Sequence, residues 1–355
     1  MRVLIIGANG FIGHNLVKRI LQTTTWEVCG IDLSSFRLGE LMAHPRFSFH
    51  AADISLAREL VEQQVMQSDV VLPLAAVANP MAYVNDPLAT FEIVFEENLR
   101  IVKLCAKHDV RLIFPSTSEV YGMCADESFT EASSLPTFGP VSKERWIYAS
   151  SKHLLERVIW SLGHAGLRFT IFRPFNWFGP NLDDIRQGQD GGARVVTLFL
   201  GRLMRGENIR LVDGGQQARS FTYIDDGIDA LMCILSAPEG KADGEIFNIG
   251  NPANLCSIEE LAKHLARLVG ELSGQPEFEK KVKFEVVPAT SYFGNAYQDV
   301  SRRKPDVARI SAQLGWAPAI PLEDALRRTV QWYFSEENSL PNSDEPADPA
   351  ACAAF

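Results

Sequence analysis

Long hydrophobic runs are missing from this chain: none of its 355 residues belongs to an apolar stretch approaching the ~18 residues of a membrane span, so no membrane partner is expected. Paired cysteines are missing too. The six cysteines (29, 105, 124, 233, 256 and 352) lie far apart with no Cys-x-x-Cys, which argues against a disulfide framework and fits a reducing, cytoplasmic compartment. The seven histidines are scattered without ligand spacing, and no metal site is expected. Positive charge is in deficit: 34 Lys and Arg against 44 Asp and Glu leave a net charge of −10, which argues against non-specific nucleic-acid binding. An anionic ligand would therefore need a local cluster of cations.

What remains is an ordinary globular composition, 46% hydrophobic and 22% charged, without internal repeats. That length can bury one large core and a smaller appended lobe. The chain opens as an apolar strand, Met1-Arg-Val-Leu-Ile-Ile-Gly7, so no signal peptide is expected ahead of the fold. Strand and helix patterns alternate from there to about Pro174, which predicts right-handed βαβ units and an α/β, Rossmann-like doubly wound parallel sheet. Phe221–Asp225 and Glu245–Gly250 read as short strands returning to that sheet. The expected nucleotide domain is thus 1–175 plus about 221–250, with a smaller substrate-binding lobe from about 176–220 plus 251–335. Within that lobe a Gly/Asp-rich loop, Asp183–Gly192, precedes an amphipathic helix at about Arg194–Met204, and Ser257-Ile-Glu-Glu260 is a capping box. Residues 336–355, rich in Pro, Ala, Ser, Asn and acid, read as a flexible tail.

The first strand runs into Gly7-Ala-Asn9-Gly10-Phe11-Ile12-Gly13 and then into a helical pattern. Glycines there permit a tight turn, close approach of backbone to a diphosphate, and packing of the helix on the strand. The helix start offers free N–H groups and the positive end of its dipole. A second strand ends at Asp32, the spacing of a ribose-binding carboxylate whose charge favours NAD over NADP. After a third strand, Asp53-Ile54 either contacts adenine or caps the next helix. A fourth strand ends in Leu74-Ala75-Ala76, facing the same crevice.

Thr117-Ser118-Glu119 follows a fifth strand, and Tyr148-Ala-Ser-Ser-Lys152 lies about thirty residues on. Tyr-x-x-x-Lys sets a phenol and an ammonium one helical turn apart on one face. The ammonium is expected to lower the phenol's pKa, so that Tyr148 takes a proton from a substrate hydroxyl near neutral pH. Asn98 reads equally as a sheet-stabilising or a site residue. Two long helices, Phe91–Lys107 and Trp146–Leu162, carry apolar faces that pack on the sheet or on a second subunit, so a homodimer is expected.

These motifs resemble those of the extended short-chain dehydrogenase/reductase family acting on nucleotide sugars. The stretches Phe114-Pro-Ser-Thr-Ser-Glu-Val-Tyr-Gly122, Gly139-Pro-Val, Arg145-Trp-Ile-Tyr148, Arg173-Pro-Phe-Asn-Trp177 and Tyr297-Gln-Asp-Val-x-x-Arg303-Lys-Pro305 resemble, over residues 1–335, the UDP-glucuronic acid decarboxylase module of bifunctional polymyxin-resistance enzymes. Plant UDP-apiose/UDP-xylose synthases share similar blocks more distantly. The formyltransferase of the bifunctional enzymes is not expected within these 355 residues.

The resemblance implies NAD as cofactor, a UDP-sugar substrate, and oxidation at C4 followed by loss of the C5 carboxylate as CO₂. It makes Thr117, Ser118, Glu119, Tyr148, Lys152 and Arg303 catalytic, with Glu119 as orienter, expeller or proton donor. It puts Asn176, Arg194, Arg210 and Tyr297 on the substrate, with Arg219 beside the diphosphate. Arg302 and Lys304 are expected to be solvated neighbours. Related dehydratases carry Asp-Glu after the threonine, and Ser118 removes one of those acids. A C4 epimerase or UDP-apiose/xylose synthase is the alternative within the enzymes. A non-catalytic NAD or nucleotide-sugar sensor is the alternative outside them, though Tyr148 and Lys152 are both retained.

Overall fold

In the computed structural model, residues 1–76, 80–185 and 193–335 are described. The expected tail at 336–355, and most of the Asp183–Gly192 loop, lie outside these residues. Seven parallel strands form the central sheet: β1 (Arg2–Ile6), β2 (Glu27–Asp32), β3 (Phe47–Ala51), β4 (Val70–Pro73), β5 (Arg111–Pro115), β6 (Phe169–Pro174) and β7 (Glu245–Ile249). Their spatial order is β7-β6-β5-β4-β1-β2-β3. The order reverses between β1 and β4, and a crevice opens there at the carboxyl ends of the strands.

The period of two along β1 explains how both faces are covered. Val3 and Ile5 join the core shared with α1 (Phe11–Thr23), while Leu4 and Ile6 face the opposite core with α2 (Arg58–Met66), α3 (Asn98–Lys107) and α4 (Trp146–His164). The β1–α1 turn must be glycine. Gly7 has a φ of +90°, and a Cβ on Gly13 would lie 2.1 Å from the Gly7 carbonyl oxygen. The helix therefore rests directly on the strand end.

Two expectations fail. Phe221–Asp225 does not return to the main sheet: Thr222 and Tyr223 pair with Trp177 and Phe178 in a separate ladder, and α6 (Ile224–Leu235) starts at once. The edge beside β6 is already taken by β7, and the Thr222 hydroxyl donates instead to the Phe175 carbonyl (2.8 Å). The segment expected as one helix from Phe91 to Lys107 is interrupted by a π turn, Glu92–Glu97. Asn98 closes it, donating through Nδ2 to the Ile93 (3.0 Å) and Ala75 (3.3 Å) carbonyls, so it ties the end of β4 to α3.

The second lobe packs α5 (Val195–Met204) against α7 (Ile258–Leu272), whose Ser257 capping box forms as expected. Its short strands matter for the site. Residues 302–303 run parallel to 218–219, with Arg303 directly beside Arg219. Arg302 meets Glu127 at 3.5 Å on the exposed side.

Gly13→Ala is expected to cost about 1–3 kcal/mol, because its methyl meets backbone rather than a side chain that can rotate away. A urea midpoint equal to that of the unsubstituted chain would show that the turn yields.

Candidate active site

The ends of β1, β4 and β5, one face of α4 and the 292–303 segment enclose a cleft of about 520 Å³. Its floor at one end is the glycine turn. A Cβ on Gly7 would sit 2.7 Å from the Ala75 amide nitrogen, so β4 passes directly beneath. Gly10 caps α1 without any side-chain bond, and the first turn of α1 holds no acidic residue, leaving its N–H groups to the cleft. Asp32 accepts from the Asn9 (2.8 Å) and Leu33 (2.7 Å) amides. Burial raises its pKa against those bonds.

Gly7, Gly10, Phe11, Ile12, Gly13, Leu74 and Ala76 line the cleft; Asn9, Asp32, Asp53, Ile54 and Ala75 stand behind or outside it. Asp53 turns to Ser55, accepting from its amide (2.8 Å) and hydroxyl (2.7 Å), and thus braces the turn before α2 without being its N-cap. The cradle fits a dinucleotide: unobstructed helix-start amides for a diphosphate, and a carboxylate at the end of β2 for a ribose.

At the centre, Thr117 caps a single 3₁₀ turn, Ser118–Tyr121, its Oγ1 accepting from the Glu119 amide (3.2 Å). This turn aims Ser118 and Glu119 into the cleft where β5 ends. Tyr148 and Lys152 come from α4, one turn apart, both buried. Lys152 Nζ donates to the Pro115 carbonyl (2.7 Å), which fastens α4 to β5. The Tyr148 ring stacks on Tyr83, with centroids 4.6 Å apart.

The profile of the NAD dependent epimerase/dehydratase family matches residues 3–250. The chain belongs to this family. NAD is accordingly its cofactor. The chain is 50% identical to the PbgP3 protein from Burkholderia pseudomallei, with a TM-score of 0.85 over 94% of this chain and 96% of that one. The UDP-glucose 4-epimerase of Thermotoga maritima is 24% identical, with a TM-score of 0.77 over 94% and 98% of the two chains. The UDP-glucuronic acid 4-epimerase of Bacillus cereus, solved with UDP-glucuronic acid and NAD, is 22% identical, with a TM-score of 0.77 over 94% and 98%. At those identities the two epimerases share the fold.

In this family member the phenol's pKa moves opposite to the sequence expectation. Burial raises the Tyr148 pKa, and the Glu119 charge raises it further, against an opposing hydrogen bond from Thr117. Lys152 is itself pushed down to about 7 by burial, with the Glu156 carboxylate resisting. A partly neutral amine does little for a neighbouring phenolate. Glu156 is held bidentate by Arg173 (2.8 and 2.6 Å) and is pulled down to about 2 despite its burial.

Glu119 is the hub of the opposite wall. Its carboxylate meets Arg145 Nη2 at 2.7 Å and Arg303 Nη1 at 3.5 Å. Arg219 lies next to them, donating to Asp299 (2.7 Å). Burial works against the Glu119 charge, but Arg145, Arg303 and Arg219 together outweigh it and hold the carboxyl below its ordinary range. Arg145 was not singled out from sequence, nor were Tyr83 and Asp299. Arg145 stood in the Arg-Trp-Ile-Tyr block, but nothing there marks it as buried between Trp146 and Tyr297, 4.3 and 5.1 Å from their ring centroids.

Asn176, Arg194, Arg210, Arg219 and Tyr297 all line the cleft. Asn176 donates to the Ser220 carbonyl (2.9 Å). Arg194 is clamped by Asp183 (2.6 Å) and lies over the Phe11 ring at 5.5 Å, against the glycine turn. Among the described residues no group of three His, Cys, Asp or Glu is placed to hold a metal ion, and no helix is long and apolar enough to cross a membrane.

The Lys152 shift has a measurable consequence. The unfolded chain carries this proton up to the ordinary lysine pKa of 10.5, the folded one only to about 7. Between those values the unfolded state binds more protons, so this group's contribution to stability rises with pH. Lys152→Met should flatten denaturant midpoints measured from pH 7 to 10 relative to the unsubstituted chain; parallel curves would mean the amine is not buried as described.

Proposed function

We propose that the protein uses NAD to oxidise C4 of UDP-glucuronic acid and then releases the carboxylate on C5 as CO₂, leaving a UDP-4-keto-pentose. The observation that carries this reading is the buried cluster facing Tyr148. Three guanidiniums, Arg145, Arg303 and Arg219, stand against two carboxylates, Glu119 and Asp299, so the wall holds one unmatched positive charge. A sugar carboxylate supplies negative charge beside Arg145 and Arg303, where a neutral hexose ring offers none.

Bound NAD supplies the two-electron oxidant at C4. Tyr148 takes the C4 hydroxyl proton, and Thr117 donates to the C4 oxygen. The cost of the phenolate is high in this pocket, so proton transfer awaits a bound ligand that brings positive charge beside Tyr148. The C4 carbonyl then lies β to the carboxylate. The C5–carboxylate bond breaks, its electron pair passes to C5–C4–O as an enolate, and CO₂ leaves. A proton added at C5 completes the pentose.

Glu119 is ionised between two arginines and has no proton to give, so its role is to aim Arg145 and Arg303. Arg303, 3.5 Å from Glu119 in the cleft wall, is the candidate for binding the C5 carboxylate or steering the C5 proton. Ser118 sits where related dehydratases carry an acid, which disfavours elimination of water.

A homodimer belongs to this reading. Ile93, Leu154 and Trp160 are exposed apolar residues on the segments expected to form a shared interface. A mass of two chains in solution scattering is expected, and Leu154→Glu should halve it; a single-chain mass for the unsubstituted protein rejects the dimer.

Incubation of the purified chain with UDP-glucuronic acid and NAD should yield CO₂, with NADH accumulating if the ketone is released and not if it is reduced in place to UDP-xylose. An isomeric UDP-hexuronate without CO₂ would make it an epimerase instead. Tyr148→Phe should lower turnover about 10²–10⁴-fold. Glu119→Gln and Arg303→Met should lose CO₂ release while UDP-glucuronic acid still binds; undiminished CO₂ from both would sink their assigned roles.

A further inference from the structure

The glycine turn, Gly7–Gly13, contains no charged residue, yet it faces the most highly charged part of any dinucleotide. A cation stands beside it that neither the turn motif nor the catalytic reading uses. Arg37 lies in the loop after β2 and lines the cleft together with Gly7, Gly10 and Gly13.

Asn9 fastens that loop to the turn at four points. Its amide donates to Asp32 (2.8 Å) and its Nδ2 to Ser34 Oγ (2.9 Å). Its Oδ1 accepts from the Arg37 amide (2.6 Å), and its carbonyl accepts from Arg37 Nη1 (3.5 Å). Arg37 Nε is buried and has no partner among the described residues. A guanidinium that lines the cleft beside the free amides, with one buried donor left unpaired, is incomplete without an acceptor.

Its charged surroundings point the same way. Arg194 faces Arg37 with like charge, and Asp183, which already holds Arg194 bidentate, and Asp32, which already accepts two amides, are the facing acids. Two guanidiniums thus flank the amides at the start of α1, one over Phe11 and one over Asn9.

We propose that Arg37 is a phosphate-binding residue for NAD, its guanidinium contacting the cofactor's diphosphate where it crosses the glycine turn. Asp32 selects against a 2′-phosphate, and Arg37 adds affinity for the phosphates that NAD and NADP share. Asn9 acts as its positioning residue, setting the height of the loop above the turn.

Calorimetric titration of the full chain with NAD, ADP-ribose, adenosine and NADP separates the contributions. Arg37→Met should weaken NAD and ADP-ribose by about tenfold or more, the size of one charge-assisted contact, and leave adenosine unchanged. Arg37→Lys should recover part of the loss, and both effects should shrink as salt is raised. Unchanged NAD affinity in Arg37→Met would overturn the proposal. So would a loss confined to NADP, which would put the guanidinium on the 2′-phosphate, or an equal loss for adenosine, which would put it on the base. If Arg37→Met fails to fold, Arg37→Gln, whose polar side chain removes the charge but keeps donors for the Asn9 carbonyl, gives the same comparison.

Discussion

Glu119 and Arg145 make the contact on which the site depends. At 2.7 Å, in a wall where Arg145 has almost no solvent exposure, the pair joins three parts of the chain. Glu119 comes from the turn after β5, Arg145 from the entry to α4, and the Gln298 carbonyl, which accepts from Arg145 Nη1 at 2.8 Å, from the C-terminal lobe. Burying one of these charges alone would cost several kcal/mol, so each requires the other. Their pairing sets where Arg303 stops and how close the negative charge approaches Tyr148.

The same buried charges make the site electrostatically tense without ligand. Tyr148 is held protonated and Lys152 is held partly neutral by burial. Behind Lys152, a second buried pair, Glu156 with Arg173, extends through the Tyr121 hydroxyl to Asn248 on β7. Tyr148 and Lys152 thus have a buried ion pair behind them, while Glu119, Arg145 and Arg303 line the cleft itself. Rigid placement on α4 and at the end of β5 suits a reaction in which a proton must leave and return along one line.

The glycine turn, Tyr-x-x-x-Lys and the threonine-led triplet were legible because each is a local pattern whose spacing has one geometric meaning. Ser257-Ile-Glu-Glu260 was legible for the same reason and caps α7 as read. Phe221–Asp225 misled because its four apolar and β-branched residues, Phe221–Ile224, look alike whether they join the main sheet or a side ladder. Only the prior occupation of the β6 edge by β7 separates those outcomes. The Phe91–Lys107 helix misled more mildly: hydrophobic spacing does not report one inserted residue, and Asn98 stabilises the π turn through contacts from its side chain.

By itself the sequence determined the doubly wound architecture, the glycine turn between β1 and α1 and the placing of Tyr148 and Lys152 on one face of α4, since these depend on residues within one turn or one strand–helix unit. Tertiary structure alone decided the protonation balance. Arg303 reaches Glu119 from 184 positions away only because residues 302–303 pair with 218–219. Whether Lys152 is charged, whether Glu119 is an acid or an anion, and whether Arg145 belongs to the site depend on burial and on through-space charge. Those quantities are set by the packed core and have no signature in linear spacing.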